Sequence, residues 1–179
     1  QSRVIKDGSP YALSKLAMEQ AAMDLRDKGL DCVVVRPFNH IGPGQGTGFL
    51  LPDLTKQLLE TDQKNPSISA GNLKTIRDYT DVRDIARAYA DLATADSLEN
   101  DLYNVCSGKG HSGEDMVEDL CDELEIDSSK ITINVNDKLI RPTDPSKIVG
   151  DNSLLNKDTG WSPKIPLNKT IEDIVASKK

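Results

Sequence analysis

The first clear pattern in the chain is helical. Leu13, Leu16, Ala17, Ala21 and Leu25 recur at helical spacing between a Ser9-Pro10 start and Gly29. A capping serine followed by proline at the first helical position predicts a helix from Pro10, with Gly29 as its stop. The next segment reads differently: Cys32, Val33, Val34 and Val35 form an unalternated, mostly β-branched run within Asp31 to Arg36, ended by Pro37. A strand without polar alternation is one covered on both faces, as in a parallel sheet.

The alternation continues along the chain. A loop dense in Gly and Pro, Pro37 to Gly48, precedes Phe49 to Leu59, which has the length and apolar spacing of a helix. Strands are expected at Ser67 to Ala70, at Leu102 to Val105 and, with half-exposed alternation, at Ile131 to Val135. Helices are expected at Asp81 to Thr94 and at Ser112 to Leu124, the second opened by a capping serine. A short helix stopped at Gly160 and a last one over Leu167 to Ala176 complete the pattern. Strands separated by helices indicate an α/β architecture with a substantially parallel sheet. The acidic helix and the stretch after Ile131 read as a less regular second layer, a smaller lobe beside the sheet.

At 179 residues, with 37% hydrophobic and 28% charged positions, the chain can bury a sizeable globular core without disulfide staples. Aromatics are only 4%, so that core rests on Leu, Ile, Val and Ala. A net charge of −7 argues against a nucleic-acid-coating protein and against a basic membrane-surface patch. Three cysteines, Cys32, Cys106 and Cys121, form no C-x-x-C pair and fit a reducing cytoplasm better than a secreted disulfide scaffold. The apolar run at Cys32 is far shorter than the roughly 20 residues that span a bilayer, and no leader pattern opens the sequence. A helix signal within ten residues of Gln1 leads us to expect that the chain begins inside a larger fold.

Tyr11 and Lys15 stand four apart near the start of the first helix, so they project from one face. A phenol with pKa about 10 works poorly as an acid or base at neutrality unless a cation stabilises its phenolate. Bringing it to about 7 requires roughly 4 kcal/mol of differential stabilisation, for which Lys15 is one source. Gly42, Gly44, Gly46 and Gly48 follow a strand and precede a helix, yet neither G-x-G-x-x-G nor G-x-x-x-x-G-K can be drawn through them. His40, His111 and the scattered cysteines offer no metal-ligand spacing, so no metal site is expected.

Ser9-Pro-Tyr-Ala-Leu-Ser-Lys15, followed by a helix, a Val-rich strand and Arg36-Pro-Phe-Asn-His-Ile-Gly-Pro-Gly-Gln45, resembles the extended short-chain dehydrogenase/reductases. Four further ordered blocks share the resemblance: Gly71 to Asp84, Tyr103 to Gly108, Arg141-Pro-Thr-Asp144, and Gly150-Asp with Gly160-Trp161. Within that superfamily the blocks are most similar to GDP-4-keto-6-deoxy-mannose reductases, with GDP-mannose 4,6-dehydratases as near relatives. The resemblance implies the C-terminal part of a Rossmann-like doubly wound parallel sheet with a smaller α/β substrate-binding lobe. Residues 1–110 would carry the end of the Rossmann-like domain with interleaved substrate-lobe segments, and 111–179 mostly the substrate-binding lobe and C-terminal helix.

By the same resemblance, Tyr11 is the catalytic acid that protonates the sugar C4 oxygen as hydride arrives from NAD(P)H. Lys15 holds the cofactor ribose and makes the phenol more acidic. Phe38 and His40 lie near the cofactor and Asn39 near the substrate. Lys56, Arg77 and Arg141 supply cations for a nucleotide diphosphate, and Asn72 and Asp144 lie in the same blocks, a carboxylate suiting a ribose or guanine edge. For Arg77 a plain salt bridge with Asp78 or Asp81 is the alternative. The family's Gly-rich cofactor loop and its third catalytic residue, a Ser or Thr, find no match here. Two readings follow. In one, the complete protein is an NAD- or NADP-dependent reductase of a GDP-linked 4-keto-6-deoxy sugar, or a dehydratase or epimerase of a related nucleotide sugar. In the other, the chain is a non-catalytic nucleotide-sugar-binding half that needs a partner to complete its sheet. A cytoplasmic homodimer, without nucleic acid or membrane, is expected.

Overall fold

The computed structural model describes residues 9–140 and 143–178. Helix α1 (Pro10–Arg26) leads into β1 (Val34–Pro37) and β2 (Asn39–Ile41), then α2 (Leu50–Glu60), β3 (Ser67–Ala70) and β4 (Ile76–Asp81). Next come α3 (Val82–Ala93), β5 (Leu102–Val105), β6 (Gly110–Ser112), α4 (Gly113–Glu123) and β7 (Thr132–Val135). The chain closes with β8 (Lys147–Ile148), α5 (Ser153–Thr159) and α6 (Leu167–Ala176). The start and stop signals work as local chemistry predicts. Ser9 accepts a hydrogen bond from Ala12 N with Pro10 in the first turn of α1, and Gly160 ends α5 in the left-handed region at φ 71°. Ser112 and Asp115 form a reciprocal capping box on α4.

Pairing is mainly parallel: β1 with β5, β2 with β4, β3 with β7, and β4 with β8, while β6 runs antiparallel to β4. The expected α/β class is therefore what the chain adopts. Four strands were not legible from periodicity. Strand β2 lies in the Gly- and Pro-dense stretch read as loop, and β6 and β8 are only three and two residues long. Strand β4 has the sequence IRDYTD and buries polar side chains that a hydrophobic pattern cannot reveal, with Asp78 1% and Asp81 3% exposed. Strand β7, expected to be half-exposed, is exposed at all four positions.

Two apolar cores hold the elements together. One packs Leu51, Leu54 and Leu58 of α2 against Ile68 of β3, Met116 and Leu120 of α4, and Ile171 and Ile174 of α6. The other gathers Ile85, Ala88 and Leu92 of α3, Tyr103 and Val105 of β5, Leu155 of α5 and Trp161, with Val33 and Val35 packed against it. Trp161 donates its indole N–H to Asp84 O at 3.1 Å, which satisfies the polar handle of a buried indole.

Helix α1 buries none of its residues: Leu13, Leu16, Met18 and Leu25 are all exposed. Polar ties anchor it instead. Glu19 accepts two hydrogen bonds from the Arg36 guanidinium of β1, one at 2.7 Å from Nε, and Arg26 pairs with Asp101. These bonds from Arg36 outweigh the cost of partial burial and hold the Glu19 carboxyl below its ordinary range. Among the described residues β1 pairs only with β5, so its other edge carries no strand.

Candidate active site

Tyr11 and Lys15 lie in the first turns of α1, and their spacing brings them to one face. Lys15 Nζ stands 5.6 Å from the centre of the Tyr11 ring, inside cation–π range. Tyr11 is 71% exposed.

The segment that follows β1 extends its ladder: Phe38 N donates to Val105 O at 2.9 Å. Strand β2 then registers Asn39 beside Tyr79, His40 beside Thr80 and Ile41 beside Asp81. Burial pushes the Tyr79 phenol above its ordinary range, opposed by the Arg77 charge and by the neighbouring Asn39 side chain. His40 and Asn39 are exposed, and His40 Nδ1 lies 3.2 Å from Phe38 O. Phe38 packs on Gly150, where an added Cβ would meet its Cζ at 2.8 Å and Cys106 Sγ at 2.5 Å.

A cleft of about 570 Å³ opens between the start of α2, the end of β3 and the segment that reaches Asp144. It falls within the size range of small-molecule sites. Lys56, Asn72 and Asp144 line it together, with Phe49 and Gln57. Gln57 is locked to β3, accepting from Ser69 N at 2.7 Å and donating to Ser69 O at 3.1 Å. Asn72 turns its side-chain oxygen to Lys74 N at 3.0 Å. Lys56 is exposed and only loosely paired, with Glu60 at 4.0 Å.

Arg77 sits behind this wall. Its Nη1 donates to Ile76 O at 2.7 Å, and its Nη2 lies 2.7 Å from Asp144 Oδ1, an ion pair whose N–H direction is too far off line for a hydrogen bond. The alternative partners Asp78 and Asp81 are engaged elsewhere. Asp78 accepts from Ser107 N, Ser107 Oγ, Gly108 N and Gly150 N at 2.6 to 3.2 Å. Asp81 accepts from Arg83 and from Thr170 Oγ1. Burial opposes the charge on Asp81, but the bonds from Arg83 and Thr170 outweigh it and keep the carboxyl below its usual range.

The expected residues thus fall into three groups. Tyr11 and Lys15 share a helix face; Phe38, Asn39 and His40 follow β1 in sequence; Lys56, Asn72 and Asp144 share the cleft with Arg77 at its back. Arg141 lies outside the described residues. Sequence reasoning missed Asp78 and Gly150, which hold β4, the turn after β5 and the segment after β8 in one arrangement. Both sit inside the blocks that carry the resemblance, which was the available signal. Phe49, Gln57 and Tyr79 gave no signal of their own. Cys106 is buried, and burial first, then the nearby Asp78 charge, push its thiol up to about 12.

Comparison with known proteins adds to this geometry. A family model described as GDP-mannose 4,6 dehydratase matches residues 2–174. The GDP-6-deoxy-D-mannose reductase of Pseudomonas aeruginosa is 30% identical over 171 residues, covering 94% of this chain and 55% of the relative. The GDP-6-deoxy-D-talose 4-dehydrogenase of Aggregatibacter actinomycetemcomitans is 32% identical, covering 87% of this chain and 50% of that protein. Among solved structures, RMD from Pseudomonas aeruginosa complexed with NADPH superposes with a TM-score of 0.83 at 28% identity, over 97% of this chain and 57% of that one. The chain spans about half the length of the curated relatives it matches.

Proposed function

Because the chain belongs to the GDP-mannose 4,6-dehydratase family, we propose that the complete protein is an NAD(P)-dependent oxidoreductase of GDP-linked sugars, with Tyr11 as its proton donor. The reaction we assign is reduction at the C4 keto group of a GDP-linked 4-keto-6-deoxyhexose. The juxtaposition of the Lys15 ammonium and the exposed Tyr11 ring carries this reading. A bound nicotinamide cofactor would supply the hydride. As the C4 carbon accepts it, the C4 oxygen gains negative charge and takes the Tyr11 proton, giving an alcohol and a phenolate that solvent reprotonates. Lys15, which has no ion-pair partner among the described residues, suits both the cofactor ribose and the phenolate. Phe38 and His40 would face the cofactor and Asn39 the sugar, with Asn39 registered beside Tyr79 on the neighbouring strand.

In this reading the cleft takes the nucleotide. Lys56 and Arg77 answer the diphosphate, Asn72 borders it, and Asp144 orients Arg77 as well as facing the ligand. Arg141 completes the set by its place beside Asp144 in sequence. Residues 1–110 would then contribute the C-terminal part of the Rossmann-like domain with interleaved substrate-lobe segments, and 111–179 mostly the substrate-binding lobe and C-terminal helix. Pairing of two copies through helices of the sheet, α1 among them, belongs to the same proposal, and the three free cysteines support a cytoplasmic setting.

Tyr11→Phe in the complete protein tests the assignment. Turnover of the GDP-linked keto sugar should fall about 100- to 10,000-fold, with GDP affinity unchanged. Near-parental turnover would remove Tyr11 as the acid. The family model favours a second reading, dehydration of GDP-mannose. Supplying GDP-mannose and analysing the product separates the two, since only the dehydratase converts it to the 4-keto-6-deoxy sugar.

A further inference from the structure

We infer that Glu19 and Arg36 are positioning residues: their ion pair sets how Tyr11 and Lys15 of α1 stand against the segment that carries Phe38, Asn39 and His40. Both act through other side chains, so this role rests on the function proposed above.

Helix α1 has little else to fix it. None of its residues is buried, so among the described residues apolar packing does not set its rotation. Two charged ties hold it, and they differ in kind. Arg26, in the last turn, meets Asp101 through one nitrogen at the solvent rim. Arg36 instead grips Glu19 with its planar fork, Nε donating to Oε1 at 2.7 Å and Nη2 to Oε2. A two-point contact of this kind restrains rotation as well as distance. The two side chains are 33% and 19% exposed, so water screens them only in part. The bonds from Arg36 also hold the Glu19 carboxyl below its ordinary range, which keeps the tie charged at neutral pH.

Both ends of the tie lead to proposed site residues through rigid backbone. Tyr11, Lys15 and Glu19 follow one another in four-residue steps on α1. Each step advances about 6 Å and turns about 40°, so the three side chains form one stripe along the helix. Arg36 is registered beside Asn104 of β5, and the same ladder continues to Phe38, whose N donates to Val105 O at 2.9 Å. Asn39 and His40 follow directly and are pinned by β4. The pair therefore joins the helix that presents the phenol and ammonium to the strand that presents the segment opposite them. A shift of α1 by about 1 Å along its axis is enough to misplace a proton donor.

Three variants of the complete protein test this. Glu19→Gln should lower kcat for the GDP-linked keto sugar about 10- to 100-fold, with KM for the sugar nucleotide and GDP affinity by calorimetry unchanged. It should also weaken binding of NADPH or NADH about tenfold, read by quenching of intrinsic fluorescence, because Lys15 moves with the helix. Arg26→Gln breaks the other tie of the same helix and should leave kcat and cofactor binding at the parent's level. Arg36→Lys keeps the charge but loses the fork, and it should repeat the loss of kcat even where Glu19→Gln folds poorly. Parental kcat in Glu19→Gln, or in Arg36→Lys if the first variant does not fold, would overturn the inference. So would an equal loss in Arg26→Gln, which would make the pairs interchangeable anchors. A parent that neither reduces the keto sugar nor binds a nicotinamide cofactor would instead remove the functional reading, and this role with it.

Discussion

Removing the Asp78 carboxylate should destabilise the fold more than any single surface charge, and the structure fixes how much. The side chain is 1% exposed and accepts four hydrogen bonds, two on each oxygen. In Asp78→Ala, Ser107 Oγ can fall back on Lys109 O at 3.3 Å, but the N–H groups of Ser107, Gly108 and Gly150 lose their acceptor. At about 1–2 kcal/mol for each buried donor left unpaired, the loss is about 3–6 kcal/mol. For a chain of this length that lowers the melting temperature by about 10–20 °C. Asp78→Asn keeps one oxygen and turns an amide N–H₂ toward the other two donors, so it should lose about half as much. Urea unfolding followed by circular dichroism reads both variants against the parent. A loss below about 1 kcal/mol in Asp78→Ala, or equal losses in the two variants, would show that these three N–H groups find other partners and that Asp78 does not organise the site.

Gly150→Ala should cost about 1–3 kcal/mol in the same assay and weaken the nicotinamide-cofactor binding we propose for the complete protein, because its Cβ would displace Phe38 and Cys106. Intrinsic fluorescence quenching by NADPH reads the second effect. Arg77→Ala should weaken GDP binding in calorimetry about tenfold or more, and Asp144→Ala by less, since Asp144 acts partly by orienting the guanidinium. Tyr103 donates to Asp158 Oδ2, and burial first, then that carboxylate, pushes its phenol up to about 12. The unfolded chain ionises this tyrosine near pH 10, so stability should be intact below about pH 10 and fall as pH rises toward about 12. Tyr103→Phe should flatten that limb of a pH-dependent melt.

Much of this was readable from local chemistry. The limits of β3, β5 and α6 follow from apolar runs and turn residues, and the shared face of Tyr11 and Lys15 follows from a four-residue step on a helix. What was hidden depends on partners distant in the chain. Arg77 has two acidic neighbours within four residues, yet it pairs with Asp144, because Asp78 and Asp81 are claimed by donors from four other segments. Strand β4 escaped for the same reason: its polar residues are buried because they are satisfied, and periodicity sees only their polarity.

That strand also explains why the site hangs together. Residues of β4 bind several different elements: Arg77 reaches Asp144, Asp78 the turn after β5 and Gly150, and Asp81 the start of α3 and Thr170 of α6, while Tyr79 is registered beside Asn39 of β2. A buried polar side chain is tolerated only when its partners are in place, so each of these residues transmits the position of its partner to the strand. The cleft that holds Lys56 and the segment that presents Asn39 are therefore referenced to one rigid element. A change at Asp78 should reach through it both Arg77, which we propose answers a diphosphate, and Asn39, which we propose faces a sugar.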